Sequence, residues 1–208
     1  MPRSRTTIWG AAHVERAALA DDLAGFSDEQ WAHPSLCGAW SVEDVVAHMT
    51  SSASVGPARW FASVAAARFD FDLHNQRRLV EHRGSTPAQT LANFRTIINS
   101  TTSAPGPAAA WLGEVVVHSE DIRRPLRISR TVPIETLTTV ADFYARRNLA
   151  VPSHTRAAAL RLESTDGPFT VGAGPLVQGR TLALIMVMAG RSSFGSELTG
   201  PGADILRL

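Results

Sequence analysis

No stretch of this 208-residue chain is apolar for long enough to cross a bilayer. The longest such run, LALIMVMA at 182–189, falls far short of the about 20 residues that a spanning helix needs. An excess of one charge is missing too: 20 basic residues face 19 acidic ones, for a formal net charge of +1, and no run of like charges occurs. That balance carries no electrostatic footprint for nucleic acid or an anionic membrane, and neither is expected as a partner. Cys37 is the one cysteine, so no intramolecular disulfide can form, which fits a reducing compartment. Arg3 and Arg5 are followed by TTIWGAAHVERAA, which lacks the apolar block of a signal peptide. Internal repeats and low-complexity tracts are absent. A soluble, cytoplasmic protein is the expectation.

What is present is an ordinary globular composition, 44% hydrophobic, enough for a real core. The length suits one domain, or one domain with a small lobe. Most of the first 150 residues carry a helical period. RTTIWGAAHVERAALADDLAGF gathers Trp9, Ala12, Leu19 and Leu23 near one face and stops around Gly25. SDEQWAHPSLCGAW reads as loop, broken by Pro34 and Gly38. Ser41 opens a helix in SVEDVVAHMTSSA, with its hydroxyl placed to cap the amide of Asp44 and early acids suited to the positive helix end. Gly56-Pro57 interrupts it, and helical pieces are expected at 58–68 and 71–82. Pro87, Ala108 and Pro133 mark further helix starts, the last helix ending before Pro152. Then the character changes. AALRLES alternates like a strand, TDGP is a turn and FTVGAG is its partner, while VQGRTLALIMVMAGR is too apolar for a surface helix and ends at Gly190. The expected division is a helical bundle at 1–153 and a small α+β lobe at 154–208.

Chemistry concentrates in AWLGEVVVHSEDIRRPL, residues 110–126. At helical spacing Trp111, Val115, His118 and Ile122 form one stripe, and Glu114 and Asp121 flank it within roughly 80°. Charges facing a core are costly unless paired. Glu114 and His118 are neighbours on one helix face, the spacing of two ligands on one metal and equally of a plain Glu–His hydrogen bond. His48 lies beside the stripe of Val42, Val45, Val46 and Met49, either as a core histidine satisfied by a carbonyl or as a third ligand. Two helices supplying His, Glu and His to one interior point would match bundle metal sites. That set leaves positions open, as catalytic zinc requires, and suits ferrous iron equally.

PSLCGAWSVEDVVAHM followed by GEVVVHSEDIRRPL resembles the mycothiol-dependent maleylpyruvate isomerase family. The resemblance implies a mainly α fold: a DinB-like four-helix bundle with a divalent metal at one end, and a small C-terminal α+β lobe. GAGPLVQGRTLALIMVMAGR is similar to that lobe in a short form. It makes His48, Glu114 and His118 the ligands of the metal, expected to be Zn2+, with mycothiol or a similar thiol as cosubstrate. A coordinated thiol is deprotonated by zinc and adds to an electrophilic carbon. Departure after bond rotation gives cis–trans isomerisation, and retention gives S-transfer. A metal-dependent hydrolase on the same ligands and a non-enzymatic small-molecule binder are the alternatives. The electrophile is not fixed, no catalytic side chain is assigned, and a monomer or homodimer is expected.

The remaining residues carry two readings each. Asp121 either hydrogen-bonds a ligand histidine or pairs with Arg123 or Arg124. Those arginines are candidates for holding a substrate carboxylate. Trp31, Trp40, Trp60 and Phe61 are expected as core anchors, with Trp60 and Phe61 alternatively walling a pocket. Cys37 is expected as a packed small residue, and His74 and His82 as solvated.

Overall fold

Helix boundaries follow the capping chemistry of the chain. In the computed structural model, which describes residues 4–149 and 151–207, the Ser4 hydroxyl accepts from the amide of Thr7 and opens α1, Arg5–Leu23. The stretch expected as loop holds a short helix instead, α2, Asp28–Ala32. Ser27 and Gln30 cap each other's backbone there, and this reciprocal pair nucleates a turn before Pro34 can interrupt. Ser41 and Asp44 form the same device at the start of α3, Val42–Ser52. Pro57 begins α4, Pro57–Ala66. Asp70 caps α5, Phe71–His82, and Thr86 caps α6, Pro87–Thr96. After the Pro-rich break comes α7, Ala108–Arg123.

The chain divides into two compact units, Ser4–Ser129 and the segment from Arg130 onward. In the first, α1, α7, α3 and α6 form a closed ring of packed neighbours, with α5 on the outer side of α3 and α4 against α5. Leu19, Leu23, Val45, Val46, Phe94, Leu112 and Ile122 fill the interior. Charged residues are buried among them, and Arg16 and Glu43 tie elements together. Arg16 on α1 donates to the carbonyls of Ile97 and Ser100, at 3.2 and 2.8 Å, satisfying acceptors that α6 leaves open at its end. Glu43 on α3 accepts from Arg83 at 2.6 Å and from the Thr90 hydroxyl at 2.8 Å. Thr90 in turn accepts from the amide of Gly84 at 2.9 Å. This relay locks α3 to α6 and to the end of α5.

The divide at 129/130 falls ahead of the expected one at 153/154. Helix α8, Ile134–Arg146, packs on α9, Ser153–Ala157, and on α10, Thr181–Met188, so it belongs with the second unit. The expected strand pair is β1, Arg161–Ser164, and β2, Thr170–Val171, joined antiparallel. A third strand, β3, Leu176–Gly179, lies parallel to β1, giving the order β2-β1-β3. At Gly172, φ is +82° and a Cβ would lie 2.1 Å from the carbonyl oxygen of Leu160, so only glycine fits that approach. Helix α10 is buried nearly all round, which explains its uninterrupted apolar sequence. Partial burial opposes ionisation of Asp166, yet the amide and hydroxyl of Thr181, with Ser164 and Arg180, hold its carboxyl down to about 2. A 3-10 turn, Ser192–Glu197, and α11, Ala203–Arg207, complete this unit. Among the described residues no helix is long and apolar enough to cross a membrane.

Replacing Thr90 with valine keeps the shape and removes the donor to buried Glu43. We expect a loss of about 1–3 kcal/mol in unfolding free energy, read from urea denaturation, with helical circular dichroism unchanged. A variant as stable as the parent would show that Glu43 does not depend on this bond.

Candidate metal and thiol site

Two helices of the first unit are dry except along one stripe each. In α3 only Asp44, His48 and Ser52 escape full burial; in α7, from Leu112 to Arg123, only Glu114 and His118 do. The apolar residues around them, Val45, Val46, Val115, Val116 and Val117 among others, are close to fully buried. Because these positions recur every three or four residues, each stripe runs along a single helix face.

The stripes meet. One donor atom from each of His48, Glu114 and His118 lies within 4.8 Å of the other two. His48 Nε2 stands 3.9 Å from Glu114 Oε1, with the side chains 16% and 15% exposed. The His48 and His118 rings sit edge to face at 5.1 Å, and Trp40 covers His48 at 4.9 Å. Asp121 has no exposed side-chain surface, and its Oδ2 accepts from His118 Nδ1 at 3.0 Å. Of the two readings for Asp121, the geometry realises the bond to histidine. Its backbone carbonyl also accepts from the amide of Leu36 at 3.0 Å, which pins the loop carrying Cys37 and Trp40 against α7.

Burial raises the pKa of Glu114, countered by His118, a hydrogen bond from Ser52 and the charge of Arg16. Burial would lower His118, but the Asp121 carboxylate, helped by Cys37, outweighs it and carries the imidazole up to about 9. Two imidazoles and a carboxylate converging this closely, with one ring oriented by a buried carboxylate, are residues that could hold a divalent cation.

Space adjoins the group on the α5 side. A cavity of about 40 Å³ is lined by His48, Ser51, Ser52, Trp60, His74 and Arg78, among others. A wider cleft of about 370 Å³ runs between Cys37–Trp40 and Asp72, Asn75 and Gln76 of α5.

Several expectations need correction. Arg123 is fully buried, and its Nε donates to Asp22 at 2.7 Å; a guanidinium so enclosed is not available to a substrate carboxylate. Arg124 is exposed and lines neither space. Trp60 does wall the small cavity, while Phe61 is 59% exposed rather than a core anchor. Trp31 is buried as expected. His74, expected in solvent, is buried and shares a 2.9 Å hydrogen bond through Nδ1 with Ser63. His82 is half-buried, its Nδ1 2.9 Å from the Arg78 carbonyl. Cys37 stands with His118 and Asp121 as a second close group of donors. Arg16 carries no sequence signal for this placement, since it comes to the site from far along the chain, whereas Cys37 lies in the PSLCGAWSVEDVVAHM stretch ahead of His48.

A family model described as the mycothiol maleylpyruvate isomerase N-terminal domain matches residues 12–115, half of the chain, a span that includes His48 and Glu114. No curated protein matches the sequence. Two solved structures resemble the fold. A crystal structure of a histidine-to-alanine mutant of the mycothiol-dependent maleylpyruvate isomerase aligns with a TM-score of 0.66 at 12% identity. The crystal structure of the mycothiol-dependent maleylpyruvate isomerase aligns at 0.56 and 16%. Each alignment covers 97% of this chain and 94% of the other. The DinB-like helical architecture with its small sheet is therefore shared across nearly the whole chain. On the match of half its length, this chain belongs to the mycothiol maleylpyruvate isomerase family.

Proposed function

We propose that this protein is a metal- and thiol-dependent enzyme acting on an electrophilic carbon, giving cis–trans isomerisation where the thiol departs and S-transfer where it stays. The observation that carries the reading is the convergence of His48, Glu114 and His118 on one half-buried point in a chain of this family. We assign these three as ligands of a divalent cation, proposed as Zn2+ although the donor set suits ferrous iron equally, and a mycothiol-like thiol as cosubstrate. Bound there, the cation would supply Lewis acidity and keep a coordinating thiol ionised at neutral pH.

The protein's own groups prepare that chemistry. Asp121 accepts from Nδ1 of His118, which leaves Nε2 as the ring's electron-pair donor and fixes its orientation. Ser52 and Arg16 favour the ionised carboxylate of Glu114 against its burial. The dry flanks of α3 and α7 confine water to the stripe that holds the donors. The cleft between Cys37–Trp40 and α5 would take thiol and electrophile beside Trp40, whose ring lies against His48.

His48→Ala should abolish stoichiometric metal binding, measured by elemental analysis after dialysis, while helical circular dichroism stays that of the parent. Retained metal would remove His48 from the ligand set. Metal affinity also depends on pH with a definite sign. His118 holds a proton up to about 9 in the metal-free protein, and a ligand imidazole must be neutral. Affinity should therefore climb between pH 7 and 9 and level off above. The same shift acts on stability. A histidine whose pKa is raised on folding stabilises fully below its unfolded value of about 6.5, and that contribution is lost as pH rises through about 9. Metal-stripped protein should be less resistant to urea at pH 9.5 than at pH 6.5, and Asp121→Asn should flatten the difference. An equal slope in that variant would mean the ion pair with Asp121 is not its source.

Thiol use has its own test. A thiol of pKa about 8.5 is mostly protonated in neutral solution. Its binding to metal-loaded protein should release close to one proton, counted by calorimetry in buffers of different ionisation enthalpy, and should vanish in His48→Ala. Metal-loaded protein that turns over an electrophile without thiol would move the reading to hydrolysis.

A further inference from the structure

Resting on that reading of the site, we infer that the electrophile carries an aromatic-sized apolar group, which docks on a ladder of rings running out from Trp60 in the wall of the His48 cavity. Trp60 and His74 both line the small cavity that His48 also lines, and their rings meet edge to face at 5.9 Å. From Trp60 the ladder continues to Phe61 at 5.1 Å and to Phe71 at 6.4 Å. Those two phenylalanines are 59% and 54% exposed.

The fold does not need them. Val64 is the one buried residue among those described in α4, so Phe61 contributes no core packing, and Phe71 occupies the exposed first position of α5. Clustered apolar rings left in water mark a binding surface more often than chance exposure. Here the two rings join the cavity beside the proposed ligands through Trp60, which lines it, and pockets for small molecules are built mainly from apolar and aromatic walls. A small polar dianion would leave both rings in water. A substrate with a phenyl-sized body would cover them while its reactive end reaches the His48 cavity.

The test separates this inference from the thiol chemistry by using unreactive ligands without thiol. N-benzylsuccinimide and N-ethylsuccinimide differ in the apolar group alone. Calorimetry on the intact protein should give at least a tenfold preference for the benzyl compound. In the double variant Phe61→Ser/Phe71→Ser the preference should fall below threefold, with helical circular dichroism and metal content unchanged. Equal binding of the two compounds by the parent would overturn the proposal. So would a parent dimer that the double variant dissociates in sedimentation, because the rings would then be covered by a second copy. Failure of metal-dependent thiol binding, measured separately, would remove the thiol reaction and leave this preference standing as a binding result.

Discussion

Asp121 is the residue on which the candidate site turns. It is sealed from solvent, and a buried carboxylate is tolerated only when its oxygens are engaged. One engagement is the ring of His118, which His48 faces from α3 across the gap. Through its backbone carbonyl the same residue fastens the loop at Leu36, so the segment with Cys37 and Trp40 cannot drift from α7. Orientation of a donor ring and closure of the cleft wall are thus properties of a single position. The raised pKa of His118 follows from the same contact, which couples proton inventory to geometry.

A second constraint is the distribution of water. Helices α3 and α7 pass through the interior of the bundle, and α3, like α7 from Leu112 onward, is partly exposed along one face only. The buried charges elsewhere in the bundle are consumed by structure. Glu43 and Arg83 tie helices together, Arg16 closes the end of α6, and Arg123 is bound to Asp22. The group at His48, Glu114 and His118 differs from these in its surroundings, since His48 lines a cavity on the α5 side. Polar residues in a core are therefore of two kinds here, and neighbouring space tells them apart better than burial does.

Much of this was legible in the sequence where the cause is local. Ser41, Pro57, Pro87 and Pro133 each mark a helix start because capping and the fixed φ of proline act within one turn. The spacing of Glu114 and His118 fixed their shared face for the same reason. The failures have a common physical source in contacts made far along the chain. Strand β3 is short and gains its identity from a parallel partner, which no alternation in LVQG announces. The divide between units depends on what α8 packs against, not on its amphipathic pattern. Arg123, adjacent to a polar cluster in sequence, points to α1, and His74 was hidden among charges that face outward while it faces in. At α2 a local rule did operate, but two competed: the Ser27–Gln30 cap prevailed over Pro34 and Gly38.

The single half-buried stripe on each helix also bears on how such a chain can change in length. An inserted residue turns everything beyond it by about 100° around the helix axis. Between the cap at Ser41 and His48, one added residue would swing the imidazole from the wet face into packed valines, and the hydroxyl of Ser52 with it. Between Glu114 and His118 the same change would part the carboxylate from the ring, and between His118 and Asp121 the ring from its anchor. Insertions and deletions are expected to be tolerated where no register is at stake, as in the loop before Ala108. The spans Ser41–Ser52 and Glu114–Asp121 are rigid rulers, and variation in chain length has to be absorbed outside them.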